Sequence, residues 1–445
     1  MTEDVGASGG SQAYLETIRW LYGLSPRGIR LELDRMRAAC ALAGDPQRAL
    51  RVIHVAGTNG KGSTSAMIAR IAQCAGLRVG LYTSPHLHSF AERVRIDGVP
   101  ISRDEIVARV AAIRLLLAQP GAPELTFFEV TTLLAFQAFA ERELDLVVLE
   151  VGLGGRLDAT NVIERPLACV ITHVDLDHQA YLGSTLAEIA REKAGIVKAG
   201  VPVVHAGDAP DEARGIAVRD VIDGRAKELG APSIALGREL QLATTRRSGL
   251  DVCEVTLGDR RVEGLVTKLV GAHQLRNAAL AVGAMLTAHP AIDDASIRAG
   301  IASVSWPGRL ESIECEGVTF LFDAAHNPDG ARTLAWFLEA TPSEGRHVLL
   351  FGAMADKAWR EMLAILVPHV DEVVAVAPPL GRAEKADVIA REVAGHAAAT
   401  VIEGVEESRR LAGQGGTVIV CGSIFVLAEA RAHVLGITQE PLIAM

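Results

Sequence analysis

The apolar run Val52-Ile53-His54-Val55-Ala56 passes directly into Gly57-Thr58-Asn59-Gly60-Lys61-Gly62-Ser63-Thr64. That junction constrains the chain more than any other stretch. The run reads as a buried strand, and Ser65 to Gly76 reads as a helix. A glycine-rich turn between strand and helix can aim backbone N–H groups at phosphate oxygens, and the helix N-terminus adds a favourable dipole. Lys61 supplies a point charge, and a Ser or Thr hydroxyl can bind Mg²⁺. The spacing departs from the common phosphate loop: two residues separate Gly57 from Gly60, and Gly62 stands between Lys61 and Ser63. The order of strand, glycines, lysine, hydroxyls and helix still implies binding of a nucleoside triphosphate.

The rest of the chain reads as α/β. Strands are expected at 51–56, 78–83, 144–151, 167–172 and 201–205, with helices near 104–118, 129–142 and 185–198. Continuous apolar runs such as Leu146-Val147-Val148-Leu149 suit a mostly parallel sheet covered on both faces. Residues 13–44 read as helical with one break at Ser25-Pro26-Arg27-Gly28. Residues 239–270 alternate around Ser248-Gly249 and Gly258-Asp259, the pattern of antiparallel hairpins. After Trp306-Pro307-Gly308, a plausible hinge, a second αβ series brings strands at 318–322, 347–351, 372–377 and 417–421.

Composition narrows the classes. A chain of 445 residues has room for two or three domains with real cores. The net charge of −10 argues against broad nucleic-acid binding, so an anionic ligand needs local basic groups. Six cysteines without CxxC or framework spacing read as reduced thiols of a cytoplasmic protein. Neither a secretory signal pattern nor an apolar run of membrane-spanning length is evident.

Chemistry-bearing groups cluster after the predicted strands. Open α/β sheets bind ligands at the carboxyl ends of their strands. Glu150, closing the strand at 144–151, is thereby expected near the phosphate loop, where it could hold Mg²⁺. Gly152 to Asn161 forms a second glycine-rich loop. Asp175-Leu176-Asp177-His178 follows the next strand, and a neutral imidazole beside carboxylates can ligate a metal. Lys193, in Glu192-Lys193-Ala194-Gly195, ends a predicted helix, where a lysine is ordinarily solvated.

Together these segments resemble the folylpolyglutamate synthase/dihydrofolate synthase family of the Mur-ligase superfamily. The matching pieces are GTNGKGS at 57–63, YTSPHL at 82–87, LTFFE at 125–129, LEVGLGGRLDATN at 149–161 and DLDH at 175–178. They continue with EKAGIVK at 192–198, HQLRNAA at 273–279, WPGRLE at 306–311, DAAHNPDG at 323–330 and FGAMADK at 351–357. Ala324 stands where the family usually has glycine, and Gly422-Ser423-Ile424-Phe425 replaces the more usual Gly-Ser-Leu-Tyr.

The resemblance implies an ATP-binding domain over 1–304 and a Rossmann-like glutamate ligase domain over 305–445. It also implies ATP-dependent amide formation through an acyl phosphate, in a cytoplasmic monomer whose partners are small molecules: ATP, L-glutamate and dihydropteroate, reduced folate or both. By motif, Asn59, Gly60, Lys61, Gly62 and Ser63 cradle the phosphates, Asn277 and Arg309 resemble further ATP-phosphate contacts, and Asp323 resembles a ribose or nucleotide contact. Ser63, Ser84, Glu150 and His178 are the implied ligands, or close neighbours, of two Mg²⁺ ions. Lys193 matches a lysine that the family carboxylates, converting a cation into a metal-holding carbamate. Lys61, Lys193 and His326 are the implied catalytic residues. The pterin walls fall at Arg30, Leu31, Glu32 and Leu33, at Leu125, Thr126, Phe127 and Phe128, and at Leu157, Asp158 and Ala159. Two rival readings are a Mur ligase for a nucleotide-linked cell-wall precursor and a non-catalytic nucleotide switch. The first usually carries an extra N-terminal domain, for which the 56 residues before Gly57 are too few. The second needs neither Asp323-Ala324-Ala325-His326 nor a second αβ domain.

Overall fold

The computed structural model describes residues 5–28, 30–207, 212–247, 250–341, 345–378 and 380–440. The turn expected at Ser248-Gly249 lies outside the described residues. The chain forms two compact units. One comprises residues 1–86, 91–268 and 272–305, and the other residues 87–90, 269–271 and 306–445.

The first unit opens with α1 (Val5–Tyr22) and α2 (Asp34–Leu42). The expected break is longer than Ser25–Gly28. Pro26 and Gly28 interrupt the helix, and residues 30–33 are irregular, so Arg30 to Leu33 form a linker. There follow β1 (Val52–Ala56), α3 (Lys61–Cys74), β2 (Val79–Tyr82), β3 (Val94–Ile96), β4 (Val99–Pro100), α4 (Arg103–Leu117), α5 (Phe127–Ala140), β5 (Leu146–Glu150), β6 (Ala168–Ile171), α6 (Gln179–Leu182), α7 (Leu186–Ala194), β7 (Val203–His205), α8 (Glu212–Glu228) and β8 (Ser233–Ala235).

Their sheet has the order β4-β3-β2-β5-β1-β6-β7-β8. Every pairing from β2 to β8 is parallel, and β3 and β4 form an antiparallel edge. All residues of β1, β5 and β6 are buried, as a sheet covered on both faces requires. Strands β9 (Leu240–Arg247), β10 (Leu250–Leu257) and β11 (Arg260–Leu265) make the expected antiparallel sheet, and α9 (Ala272–Ala288) and α10 (Asp294–Ser303) complete the unit.

Capping residues set several helix starts. Thr126 begins α5 and Thr185 begins α7, each in a reciprocal capping box with the glutamate three residues on. The cap at Thr126 starts α5 two residues before the expected 129. The expected helix 185–198 ends at Ala194, with Gly195 as its C-cap.

The second unit has β12 (Glu311–Cys315), β13 (Val318–Phe322), α11 (Pro328–Ala340), β14 (His347–Phe351), α12 (Trp359–Leu366), β15 (Glu372–Ala375), α13 (Ala386–Glu392), β16 (His396–Ala397), α14 (Val401–Ala412), β17 (Thr417–Cys421) and α15 (Ile424–Leu435). The order is β12-β13-β17-β14-β15-β16, parallel except for the β12–β13 pair. Alternate strand residues serve opposite faces, as a period of two dictates. Leu349 and Phe351 pack with Leu334, Met362 and Ile389, whereas Val348 and Leu350 pack with Val401, Val405 and Val426. Among the described residues no helix is long and apolar enough to cross a membrane.

Candidate active site

The phosphate loop is shaped by contacts that only glycine permits. Gly57 has φ 152° and Gly60 φ 88°. A Cβ on Gly57 would lie 1.8 Å from Thr172 Oγ1, and one on Gly60 would lie 2.5 Å from Asn277 Oδ1. Asn277, buried on α9, therefore sits directly against the loop, beside the residues with which the sequence motifs grouped it.

The loop is braced from the β6 side. The N–H groups of Thr58 and Asn59 both donate to His173 O, at 2.7 and 3.3 Å. Thr58 Oγ1 donates to Asp175 O at 2.9 Å and accepts from Asp175 N at 3.1 Å. Thr172 Oγ1 donates to Asn59 O at 2.8 Å. The N–H groups of residues 58 and 59 are thus engaged by the fold. What remains is the first turn of α3, where Lys61, Gly62 and Ser63 precede the first intrahelical bond, Thr64 N to Gly60 O at 2.9 Å. Lys61 Nζ donates to its own loop at Thr58 O, 3.0 Å.

The carboxyl ends of the flanking strands bring the metal candidates to this loop. In the sheet β1 lies between β5 and β6, so the strands carrying Glu150 and the DLDH segment flank the phosphate loop rather than each other. Glu150 is paired with Val55 in register, is 4% exposed, and accepts from Ser84 N at 3.1 Å. Ser63 Oγ is buried with no hydrogen-bond partner among the described residues. An orphaned hydroxyl at a helix start and a buried carboxylate are both oxygen donors of the kind a hard cation prefers. His178 is the exposed member of the named set. It has φ 51°, its side chain is 40% exposed, and its Nε2 lies 3.9 Å from Asp177 Oδ2.

Lys193 is not solvated, as a lysine ending a helix ordinarily is: it is 3% exposed, and Nζ donates to Gly57 O at 2.8 Å. Burial drives its pKa down to about 7, the Lys61 charge pushes the same way, and Asp177 and Asp158 oppose the shift. Half of such amines are neutral near pH 7, whereas an ordinary lysine is almost entirely cationic.

The proposed pterin walls lie on the same unit. Arg27 Nη1 donates to Leu125 O at 2.5 Å. Phe127 stacks on Tyr22 with centroids 5.2 Å apart, and the Arg93 guanidinium lies 5.1 Å over the Phe127 ring. Phe128 meets Tyr82 at 6.0 Å. Leu33, Leu125 and Ala159 are buried, Leu31 and Leu157 half-buried, and Arg30 and Glu32 exposed. Glu32 reaches Arg35 at 2.6 Å, and Arg35 lies 3.2 Å from Glu129. Two of the named residues are engaged by the fold. The Thr126 hydroxyl accepts the Glu129 N–H, and the Asp158 carboxylate turns into its own loop.

Sequence reasoning missed Tyr22, His86 and Arg93. Arg93 is buried and donates from Nε to His86 Nδ1 at 2.8 Å, and His86 Nε2 lies 3.1 Å from the Tyr22 hydroxyl. His86 falls within the quoted YTSPHL segment, but no local pattern marks Tyr22 or Arg93 or ties the three together, because they come from separate stretches of the chain.

In the second unit, Asp323 closes a tight loop: Oδ2 accepts Leu310 N at 3.0 Å and Oδ1 accepts Ala325 N at 2.9 Å. Desolvation raises its pKa, while Arg309, these amides and His326 pull it back. Arg309 Nη1 donates to Gly308 O at 3.1 Å, and His326 Nδ1 lies 2.9 Å from Ala324 O.

Residues 55–285 match the Mur ligase middle domain, and residues 308–424 match the Mur ligase glutamate ligase domain. The chain is 34% identical to a dihydrofolate synthase/folylpolyglutamate synthase of Bacillus subtilis, over 94% of this chain and 98% of that one. It superposes on Escherichia coli FolC in complex with DHPP and ADP with a TM-score of 0.86, at 32% identity, covering 94% and 98% of the two chains. A bifunctional folylpolyglutamate synthase/dihydrofolate synthase with Mn, AMPPNP and L-glutamate bound gives a TM-score of 0.84 at 33% identity, covering 94% and 97%.

Proposed function

Because the chain belongs to the folylpolyglutamate synthase/dihydrofolate synthase family of Mur ligases, we propose that it joins L-glutamate to both dihydropteroate and reduced folates, using ATP. A carboxylate is a poor electrophile until one oxygen becomes a good leaving group. Transfer of the γ-phosphoryl group to the substrate carboxylate releases ADP and forms an acyl phosphate. The glutamate amino group then attacks the acyl carbon, phosphate leaves, and an amide remains. Positioning and neutralisation of phosphoryl charge supply most of such catalysis.

The observation that carries this reading is the buried Lys193 amine bonded to Gly57 O of the phosphate loop. The first-turn amides of α3, with Lys61, suit the phosphates. Ser63, Ser84, Glu150 and His178 would hold Mg²⁺, which when bound neutralises phosphate charge. A cationic Lys193 would oppose that charge pattern. Its neutral amine can instead attack CO₂, forming a carbamate and releasing one proton, and the resulting anion suits a second Mg²⁺. Within the first unit, Asn59 and Asn277 are assigned to the nucleotide; Arg309, Asp323 and His326, all of the second unit, take nucleotide and catalytic roles from the family motifs alone. The walls at 30–33, 125–128 and 157–159 offer the apolar, partly aromatic surface that a flat pterin ring needs. Residues 1–304 serve as the ATP-binding domain and 305–445 as the glutamate ligase domain. The six free cysteines favour a cytoplasmic setting, and a monomer suffices for these roles.

The test is a product assay with ATP, Mg²⁺, L-glutamate and each acceptor in turn. Dihydropteroate and a reduced folate each gain one glutamyl residue, with ADP and phosphate released in equal amounts. ATP hydrolysis without an amide product, or an amide formed only on a UDP-linked precursor, refutes the proposal.

A further inference from the structure

His54 lies on β1, three residues before Gly57, and its side chain is completely buried. Its Nε2 is 2.8 Å from Thr160 Oγ1, and that hydroxyl donates onward to Asp158 Oδ1 at 2.6 Å. The Asp158 carboxylate also accepts the N–H of Thr160 on Oδ1 at 3.0 Å and that of Leu153 on Oδ2 at 2.9 Å. Asp158 and Thr160 are themselves buried.

Proton counting orders this chain. A hydroxyl has one proton, and Thr160 commits it to the carboxylate, so its oxygen can only accept from His54. That assigns the Nε2–H tautomer to His54. Burial holds the ring neutral, its pKa lowered to about 3, so the donor persists at any pH near neutrality. The ring makes no other hydrogen bond among the described residues, its Nδ1 being buried without a partner.

The geometry points to His54 as a positioning residue for the acceptor substrate: through Thr160 it orients Asp158, which in turn fixes the backbone of the loop from Gly152 to Asn161. That loop begins two residues after Glu150 and includes the acceptor wall at 157–159. The inference rests on the proposed function of that wall. One strand, β1, then frames both sides of the site: its C-terminal end delivers the phosphate loop, and His54 on its flank braces the acceptor loop. Other ties hold the loop independently. Asn161 Nδ2 donates to Arg156 O and Gly195 O, and Lys198 Nζ donates to Asn161 O at 3.2 Å. Loss of the His54 bond should therefore loosen the loop without unfolding the unit.

The test compares His54→Gln with His54→Met in the full-length enzyme. The two side chains are similar in size, but only glutamine retains a terminal N–H donor. His54→Met should raise the KM for the pterin acceptor about 10-fold or more. His54→Gln should restore it to within about 3-fold of wild type, and the KM for ATP should move less than about 2-fold in both. Equal effects of Met and Gln on the acceptor KM overturn the inference, as does an equal rise in the KM for ATP. If His54→Met fails to fold, Thr160→Val against Thr160→Ser makes the same comparison one bond along. The wild-type product assay separates the two ideas. Absence of any pterin amide refutes the proposed function and this inference together. Normal wild-type turnover with equal Met and Gln effects refutes the positioning role alone.

Discussion

The buried Lys193 amine makes the sharpest quantitative prediction. With a pKa of about 7, roughly half of it is neutral at pH 7, against about one part in 10³ for a solvated lysine of pKa near 10.4. The nucleophilic fraction available to CO₂ therefore rises by about 10³. Incubated with ¹³C-bicarbonate near pH 7.5, the wild-type protein should show a carbamate ¹³C resonance that the Lys193→Met variant lacks. The same shift has a stability consequence. Between about pH 7 and 10.4 the unfolded lysine is protonated while the folded one is not, so the unfolded state binds more protons and stability rises with pH. Measured by urea unfolding without CO₂, the wild-type chain should gain on Lys193→Met by about 1.4 kcal/mol per pH unit across that window, about 4–5 kcal/mol in total. Below about pH 7 both states are protonated and the difference should be flat. A stability difference independent of pH from about 7 to 10, with no Lys193-dependent carbamate resonance, would refute the argument that burial neutralises this amine.

Two further outcomes follow from the loop. Lys61→Ala should lower kcat by about 10²–10⁴ with the fold retained, because it removes charge stabilisation of the transferring phosphoryl group; near-normal turnover, with an unchanged circular dichroism spectrum, would count against the phosphate-loop assignment. Glu150→Gln and Ser63→Ala should each raise the Mg²⁺ concentration giving half-maximal rate by about 10-fold or more, and an unchanged Mg²⁺ titration in both variants would remove these residues from the metal site.

What the sequence by itself determined was local. The strand–glycine–lysine–helix junction at 52–76 needs only neighbours in the chain. Gly57 and Gly60 declare positions where no side chain fits, and the apolar runs at 146–149 and 168–171 declare strands buried on both faces. Motif order then carried the family, and with it the expected residues. What the tertiary structure alone decided was environment. Lys193 and Gly57 O are 136 residues apart in sequence, and His54 and Thr160 are 106 apart. A helix-end lysine and a strand histidine look ordinary until folding removes water from them. Strand order decided the rest: β1 between β5 and β6 places Glu150 and the DLDH segment on opposite sides of one loop, a relation that sequence order does not contain. Desolvation and hydrogen-bond pairing depend on atoms brought close in space. The pKa of Lys193, the tautomer of His54 and the placement of Arg93 over Phe127 therefore belong to the fold, whereas the glycine-rich loop proposed to hold phosphate was already written in eight consecutive residues.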